Sequence, residues 1–128
     1  MKQTVVDTSV WRAYFSGRSA AGRLRDLLEE PGVVLVHPLV IGELVLGGLS
    51  PAEERLLQRL PQAAPAGYSS ILAAIRRYKW ARRGIGWVDA ELVTSALQCR
   101  AQLWSLDRSL SSVAAELGVG FSSTLPTS

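Results

Sequence analysis

A chain of 128 residues, 48% hydrophobic and 20% charged, is long enough for one domain with a sizeable core and too apolar to be disordered. Net charge is only +3, a weak argument for nucleic acid, although twelve of the fourteen basic residues are arginine, a side chain suited to phosphate. A single cysteine, Cys99, excludes an internal disulfide, and no long uninterrupted apolar run argues for export or a membrane span; a cytoplasmic single domain over 1–128 is expected.

In chain order, Thr4-Val5-Val6 closes a short apolar strand expected over 3–6, Asp7 stands at its exit, and a helix follows over 9–15. A helix over 20–30 leads through Pro31-Gly32 to a strand over 33–36, where His37 reads as a turn residue before Pro38. Helices over 39–46 and 51–60 flank Gly47-Gly48-Leu49-Ser50. Ser50-Pro51 with Glu53 and Glu54 supplies a cap, a proline at the first position and acids facing the helix dipole. A weak strand over 62–64 precedes a long helix over 69–83, which Gly84-x-Gly86 ends. A helix over 88–100, a strand over 103–106, a helix over 109–117 and a strand over 119–121 follow, with a polar tail over 122–128. Short apolar strands alternating with helices predict an α/β fold: a parallel sheet with helices on both faces.

Four acids lie where apolar neighbours make a carboxylate costly. Asp7 and Asp107 each follow a short strand, and ligand sites of open parallel sheets form at that edge. Glu43 shares a helical face with Leu39 and Val40, and Asp89 opens the stripe Leu92, Val93, Ala96 and Leu97. Two carboxylates about 4 Å apart repel by roughly 4 kcal/mol at an effective dielectric near 20, so a cluster takes up protons or a cation. With no histidine or cysteine at zinc spacing, the donors suit a hard ion, magnesium or manganese. The competing reading, four helix caps or surface acids, explains Asp89 alone as well as a metal site does and explains Glu43 poorly.

Other residues divide between two readings. Glu91, turned about 200° from Asp89 on the helix, reads as a surface acid facing the dipole. Arg76, Arg77, Lys79, Arg82 and Arg83, interleaved with Tyr78 and Trp80, form either a solvated helix end or a track for a phosphate backbone with rings stacking on bases. Arg108, beside Asp107, is better placed to touch a phosphate at the site. Val10, Trp11, Tyr14 and Phe15 are either core or a groove for a partner.

Val5-Val6-Asp7-Thr8-Ser9-Val10-Trp11, Ile41-Gly42-Glu43-Leu44, the run from Trp87-Val88-Asp89 to Ser95-Ala96-Leu97, and Leu103-Trp104-Ser105-Leu106-Asp107-Arg108 together resemble the PIN-domain ribonucleases, in particular VapC-type toxins of toxin–antitoxin pairs. The resemblance implies a three-layer α/β/α sandwich around a parallel, roughly five-stranded sheet. It implies an acidic site of Asp7, Glu43, Asp89 and Asp107, with Asp7 and Asp89 as direct magnesium ligands and Ser9 and Ser105 as supporting polar groups. The implied reaction is magnesium- or manganese-dependent hydrolysis of an RNA phosphodiester, by one ion or two, with Arg108, Arg82 and Arg83 as RNA-contact candidates. The implied partners are RNA and a cognate antitoxin, whose helix would lie along Trp11, Tyr14, Phe15, Leu24 and Leu28, with homodimers inside a larger complex. Glu91 lies outside the family pattern. A phosphoacceptor receiver domain would need a lysine after the last strand, whereas the lysines are Lys2 and Lys79; a dehalogenase-type phosphatase would need an acid where Ser9 stands. The remaining alternative is a non-catalytic PIN-like module that binds metal and RNA.

Overall fold

In the computed structural model, which describes residues 2–122, the chain runs β1 (Thr4–Val6), α1 (Thr8–Phe15), a 3-10 turn (Ser19–Ala21), α2 (Gly22–Leu28), β2 (Val34–Leu35), α3 (Pro38–Leu46), α4 (Pro51–Gln58), α5 (Tyr68–Tyr78), α6 (Trp87–Cys99), β3 (Gln102–Trp104) and α7 (Arg108–Glu116). The strands are parallel in the order β2-β1-β3. All three residues of β1 are buried, as expected of a central strand covered by helices. Its neighbours β2 and β3 lie on opposite sides, so its carboxyl end is the kind of switch point where α/β sheets carry ligand crevices. The core around it includes Val5, Val6, Val10, Trp11, Leu24, Leu27, Val36, Leu57, Leu92, Leu103 and Leu110. Helix α6 contacts β1 and β3 and also meets α5 and α7, so it is placed by the sheet itself.

The expected five strands are three in the described residues, and the stretches at 62–64 and 119–121 are single parallel bridges, Val36 to Gln62 and Leu103 to Gly120. Each still receives two ladder bonds: Val36 N–H donates to Pro61 and Ala63 N–H to Val36 at 2.9 Å each, and Leu103 N–H donates to Val119 at 2.7 Å with Phe121 N–H to Leu103 at 3.0 Å. Prolines at 61 and 65 have no N–H with which to extend the first bridge. The strand expected over 103–106 ends at Trp104, because Ser105 turns the chain into the site. The helix expected over 20–30 is split into the 3-10 turn and α2, with Ala21 buried at the junction. The tail residues 123–128 lie outside the described structure.

The helix expected to reach residue 83 stops at Tyr78. Lys79 takes the left-handed conformation (φ 57°), and Trp80, its ring 5.7 Å from and stacked on Tyr78 and the residue only 3% exposed, donates its backbone N–H to Ile75 O at 3.0 Å. Burying that indole pulls the chain off the helical path. Gly84-x-Gly86 is therefore no helix stop; Gly86 starts α6 and Gly84 turns the loop with φ 80°. A Cβ on Gly84 would stand 2.9 Å from Ser109 Oγ, so this loop is pressed against the start of α7 next to Asp107. Gly84→Ala is expected to destabilise the fold by about 1–2 kcal/mol from the positive φ alone, with the clash added. Urea unfolding checks this, and an unchanged midpoint would contradict it.

Candidate metal centre at the carboxyl edge of the sheet

Asp7 is placed first by the backbone: its N–H donates to Trp104 O at 2.9 Å, locking the exit of β1 to the exit of β3. It occupies the cap position of α1 but its side chain caps nothing there. Instead Asp7 Oδ2 accepts the Ser9 hydroxyl at 2.7 Å and the Ser105 hydroxyl at 2.8 Å, and Asp7 is only 6% exposed. Both hydroxyls are themselves fixed, since Leu106 N–H donates to Ser9 Oγ and Asp107 N–H to Ser105 Oγ, each at 2.9 Å. A hydroxyl has one proton, so Ser9 and Ser105, 3.4 Å apart, are committed to aiming Asp7.

Asp107 caps α7, with Oδ1 accepting Leu110 N–H at 2.9 Å, and Ser111 Oγ donates to Ser105 O at 2.9 Å to brace the same turn. Glu43, on the second turn of α3, accepts the Thr8 hydroxyl at 2.8 Å. Thr8 is a residue that sequence reasoning passed over; its position beside Asp7, facing a second element, was the available signal. Asp89 sits in the first turn of α6, where Oδ2 accepts Gly86 N–H at 3.0 Å. Its carboxyl is held above the ordinary range, by burial first and then by the charges of Asp7, Asp107 and Glu43, against the lowering effect of the Gly86 hydrogen bond. The four predicted acids therefore share one electrostatic neighbourhood.

Each of the four is held by one carboxylate oxygen, while the other, Asp7 Oδ1, Glu43 Oε2, Asp89 Oδ1 and Asp107 Oδ2, takes no hydrogen bond among the described residues. None of the four pairs with lysine or arginine among the described residues. No three acids, histidines or cysteines of the described residues stand close enough to grip one ion together. The donors are carboxylate oxygens alone, which suit a hard, oxygen-liganded ion.

Several expectations need correction. Glu91 is not a surface acid: it is 5% exposed, and both its oxygens accept Ala66 N–H at 3.1 and 2.9 Å. The 62–66 segment packs over that side of α6, which helical rotation alone does not reveal. His37 is no simple turn residue but a fully buried cap of α3, its Nδ1 accepting Leu39 N–H at 3.0 Å. Trp80 is buried and unable to stack on a base. Trp11 and Leu24 are completely buried and cannot line a partner groove, whereas Tyr14, Phe15 and Leu28 are partly exposed. Arg108 and Arg82 are exposed, and Arg83 is engaged by Glu116 in a two-pronged pair at 2.8 and 3.0 Å.

With this geometry in view, comparisons with known proteins agree. The family model described as PIN domain matches residues 4–116. Over 120 residues the chain is 40% identical to Ribonuclease VapC32 of Mycobacterium tuberculosis, covering 90% of this chain and 93% of that one. Among solved structures it is similar to a toxin-antitoxin complex from Klebsiella pneumoniae (TM-score 0.61, 19% identity, 82% of this chain and 87% of the other). It is also similar to FitAcB from Neisseria gonorrhoeae (TM-score 0.57, 21% identity, 88% and 94%).

The raised Asp89 carboxyl has a consequence for stability. A group that binds its proton more tightly folded than unfolded favours folding at the acidic end, and that contribution is lost as pH rises from the ordinary carboxylate range through the raised one. In metal-free buffer Asp89→Asn is therefore expected to melt above the unsubstituted chain near neutral pH and to match it more closely as pH falls into the ordinary carboxylate range. Thermal melts of both proteins across that range check this; parallel curves would contradict it.

Proposed function

Because the chain belongs to the PIN-domain family, and within it is 40% identical to a VapC ribonuclease over nine-tenths of its length, we propose that it is a metal-dependent endoribonuclease toxin with Asp7, Glu43, Asp89 and Asp107 as its centre. The observation that carries this reading is the set of four acids at one sheet edge, each held by one oxygen while the other takes no hydrogen bond among the described residues. Asp7 and Asp89 would hold the ion directly, and Glu43 and Asp107 would complete its surroundings through water. Bound magnesium or manganese supplies Lewis-acid stabilisation of charge on the phosphate and lowers the pKa of water. The rest is the work of this chain. Ser9 and Ser105 keep Asp7 in a single rotamer, and Thr8 does the same for Glu43. Arg108, exposed on the first turn of α7 beside Asp107, meets the phosphate backbone, with Arg82 further along the strand. Arg83 joins them only by exchanging Glu116 for phosphate, an exchange that costs little at the surface.

For partners, one structural relative is a toxin-antitoxin complex, and the same arrangement is proposed here. An antitoxin would lay an apolar helix in the cleft lined by Tyr14, Phe15, Arg18, Ala21 and Arg25, with acidic residues of its own meeting the two arginines. Homodimers of the chain within that complex belong to the same proposal. No described helix is long and apolar enough to cross a membrane.

Purified protein is expected to cut total RNA in magnesium or manganese, to lose that activity in EDTA, and to lose it by more than about 100-fold in Asp7→Asn, beyond the 10–100-fold typical of a group outside the ligand set. Gel analysis of fragments, with circular dichroism to verify the variant's fold, checks this. Full activity in Asp7→Asn would remove Asp7 from the centre. Metal binding without cleavage would favour the non-catalytic metal- and RNA-binding module.

A further inference from the structure

The buried pair His37 and Glu91 has no part in the reaction as described. Glu91 lies two residues beyond Asp89 on α6, and His37 caps α3, the helix that carries Glu43. His37 Nε2 faces Glu91 Oε2 at 3.7 Å, with the two side chains 0% and 6% exposed. Since His37 Nδ1 accepts the Leu39 N–H, the ring proton belongs on Nε2, pointing at Glu91. At 3.7 Å the contact is longer than a hydrogen bond, and Nε2 has no other hydrogen-bond partner among the described residues. Glu91 also clamps the 62–66 segment through Ala66 N–H, and Ser95, one turn further along α6, donates to Ala64 O at 2.7 Å. The same segment pairs with Val36, immediately before His37. A carboxylate buried this deeply is costly unless its surroundings are arranged for it.

These contacts close a ring: β2 exit, 62–66 segment, α6, and back through His37 to α3. Glu43 and Asp89 project from the two helices that this ring joins, and like charges on them repel. We propose that Glu91 and His37 form a buried brace that holds the Glu43 and Asp89 helices at a fixed separation, making Glu91 a positioning residue for the ion site. This rests on the metal-centre reading above. It assigns Glu91 no contact with ion or RNA. Glu91 acts through the spacing of two ligand-bearing helices, so its loss weakens ion binding more than it slows turnover once the ion is bound.

The test compares the unsubstituted chain, Glu91→Gln, His37→Asn and the double variant. Gln keeps an oxygen for Ala66 N–H and places an N–H-bearing amide against His37; Asn keeps the cap on Leu39 N–H and withdraws the ring from Glu91. Manganese affinity is measured by titration calorimetry without RNA, and kcat is measured at saturating metal. The expected result is about tenfold weaker manganese binding in each single variant, no further weakening in the double variant, and kcat at saturation within about threefold of the unsubstituted chain. Folded single variants with unchanged manganese affinity overturn the brace, as does a melting-temperature loss with affinity intact, which marks ordinary packing. If Glu91→Gln fails to fold, His37→Asn alone decides by the same criterion. If the unsubstituted chain binds no manganese, the metal-centre reading itself fails, a different result from variants that bind as well as it does.

Discussion

Four acids gathered at one edge of a sheet repel one another when charged, and the contacts around them hold them in place against that repulsion. Asp89 registers it directly, its carboxyl held above the usual range by burial and by Asp7, Asp107 and Glu43. No lysine or arginine among the described residues relieves the four acids by pairing with them. The neutral donors that do reach them, three hydroxyls and two backbone amides, fix rotamers without cancelling charge. Under the proposed reading, a cation would supply the compensating charge that no described lysine or arginine provides.

Precision at the site comes from short covalent distances to rigid elements. Asp7 and Ser9 flank the start of α1, Ser105 and Asp107 flank the turn into α7, and the Asp7 N–H bond to Trp104 O ties the two exits together. The paired hydroxyl contacts then form a closed set in which Leu106 and Asp107 amides hold Ser9 and Ser105, and these hold Asp7. The neighbouring loop lies against the start of α7, where a Cβ on Gly84 would stand 2.9 Å from Ser109 Oγ. Movement of any of these pieces would be felt at Asp7.

Glu43 and Asp89 have a weaker local anchor, one hydroxyl and one amide respectively, and their positions depend on how α3 and α6 sit relative to each other. The buried His37 and Glu91 lie between those helices. Burial keeps the His37 ring below its ordinary pKa, with Glu91 opposing that shift, so the imidazole is neutral near pH 7 and serves as a directed dipole. A polar contact costs more to bury than an apolar one but has direction, which is what the proposed brace would use to set the separation of Glu43 and Asp89.

Much of this was legible in the sequence because it rests on local pattern. The strand exits at Asp7 and Asp107, the acid within the apolar Leu39 to Leu46 stretch, and the capped start of α4 are all readable from neighbours within a few residues, where periodicity and capping chemistry operate. Tertiary structure decided what depends on residues far apart in the chain. Trp80 ended α5 because a core site existed for its indole, Leu24 and Trp11 became core because α1, the 3-10 turn, α2 and α3 pack together, and the outer strands shrank to bridges beside Pro61 and Gly120. Glu91 is the clearest case. Helical rotation turns it away from Asp89 toward apparent solvent, but Ala66, twenty-five residues earlier, covers that face and makes it a buried acceptor. Local sequence determines which way a side chain points on its own helix, and only the packing of another segment determines whether water or protein is waiting there.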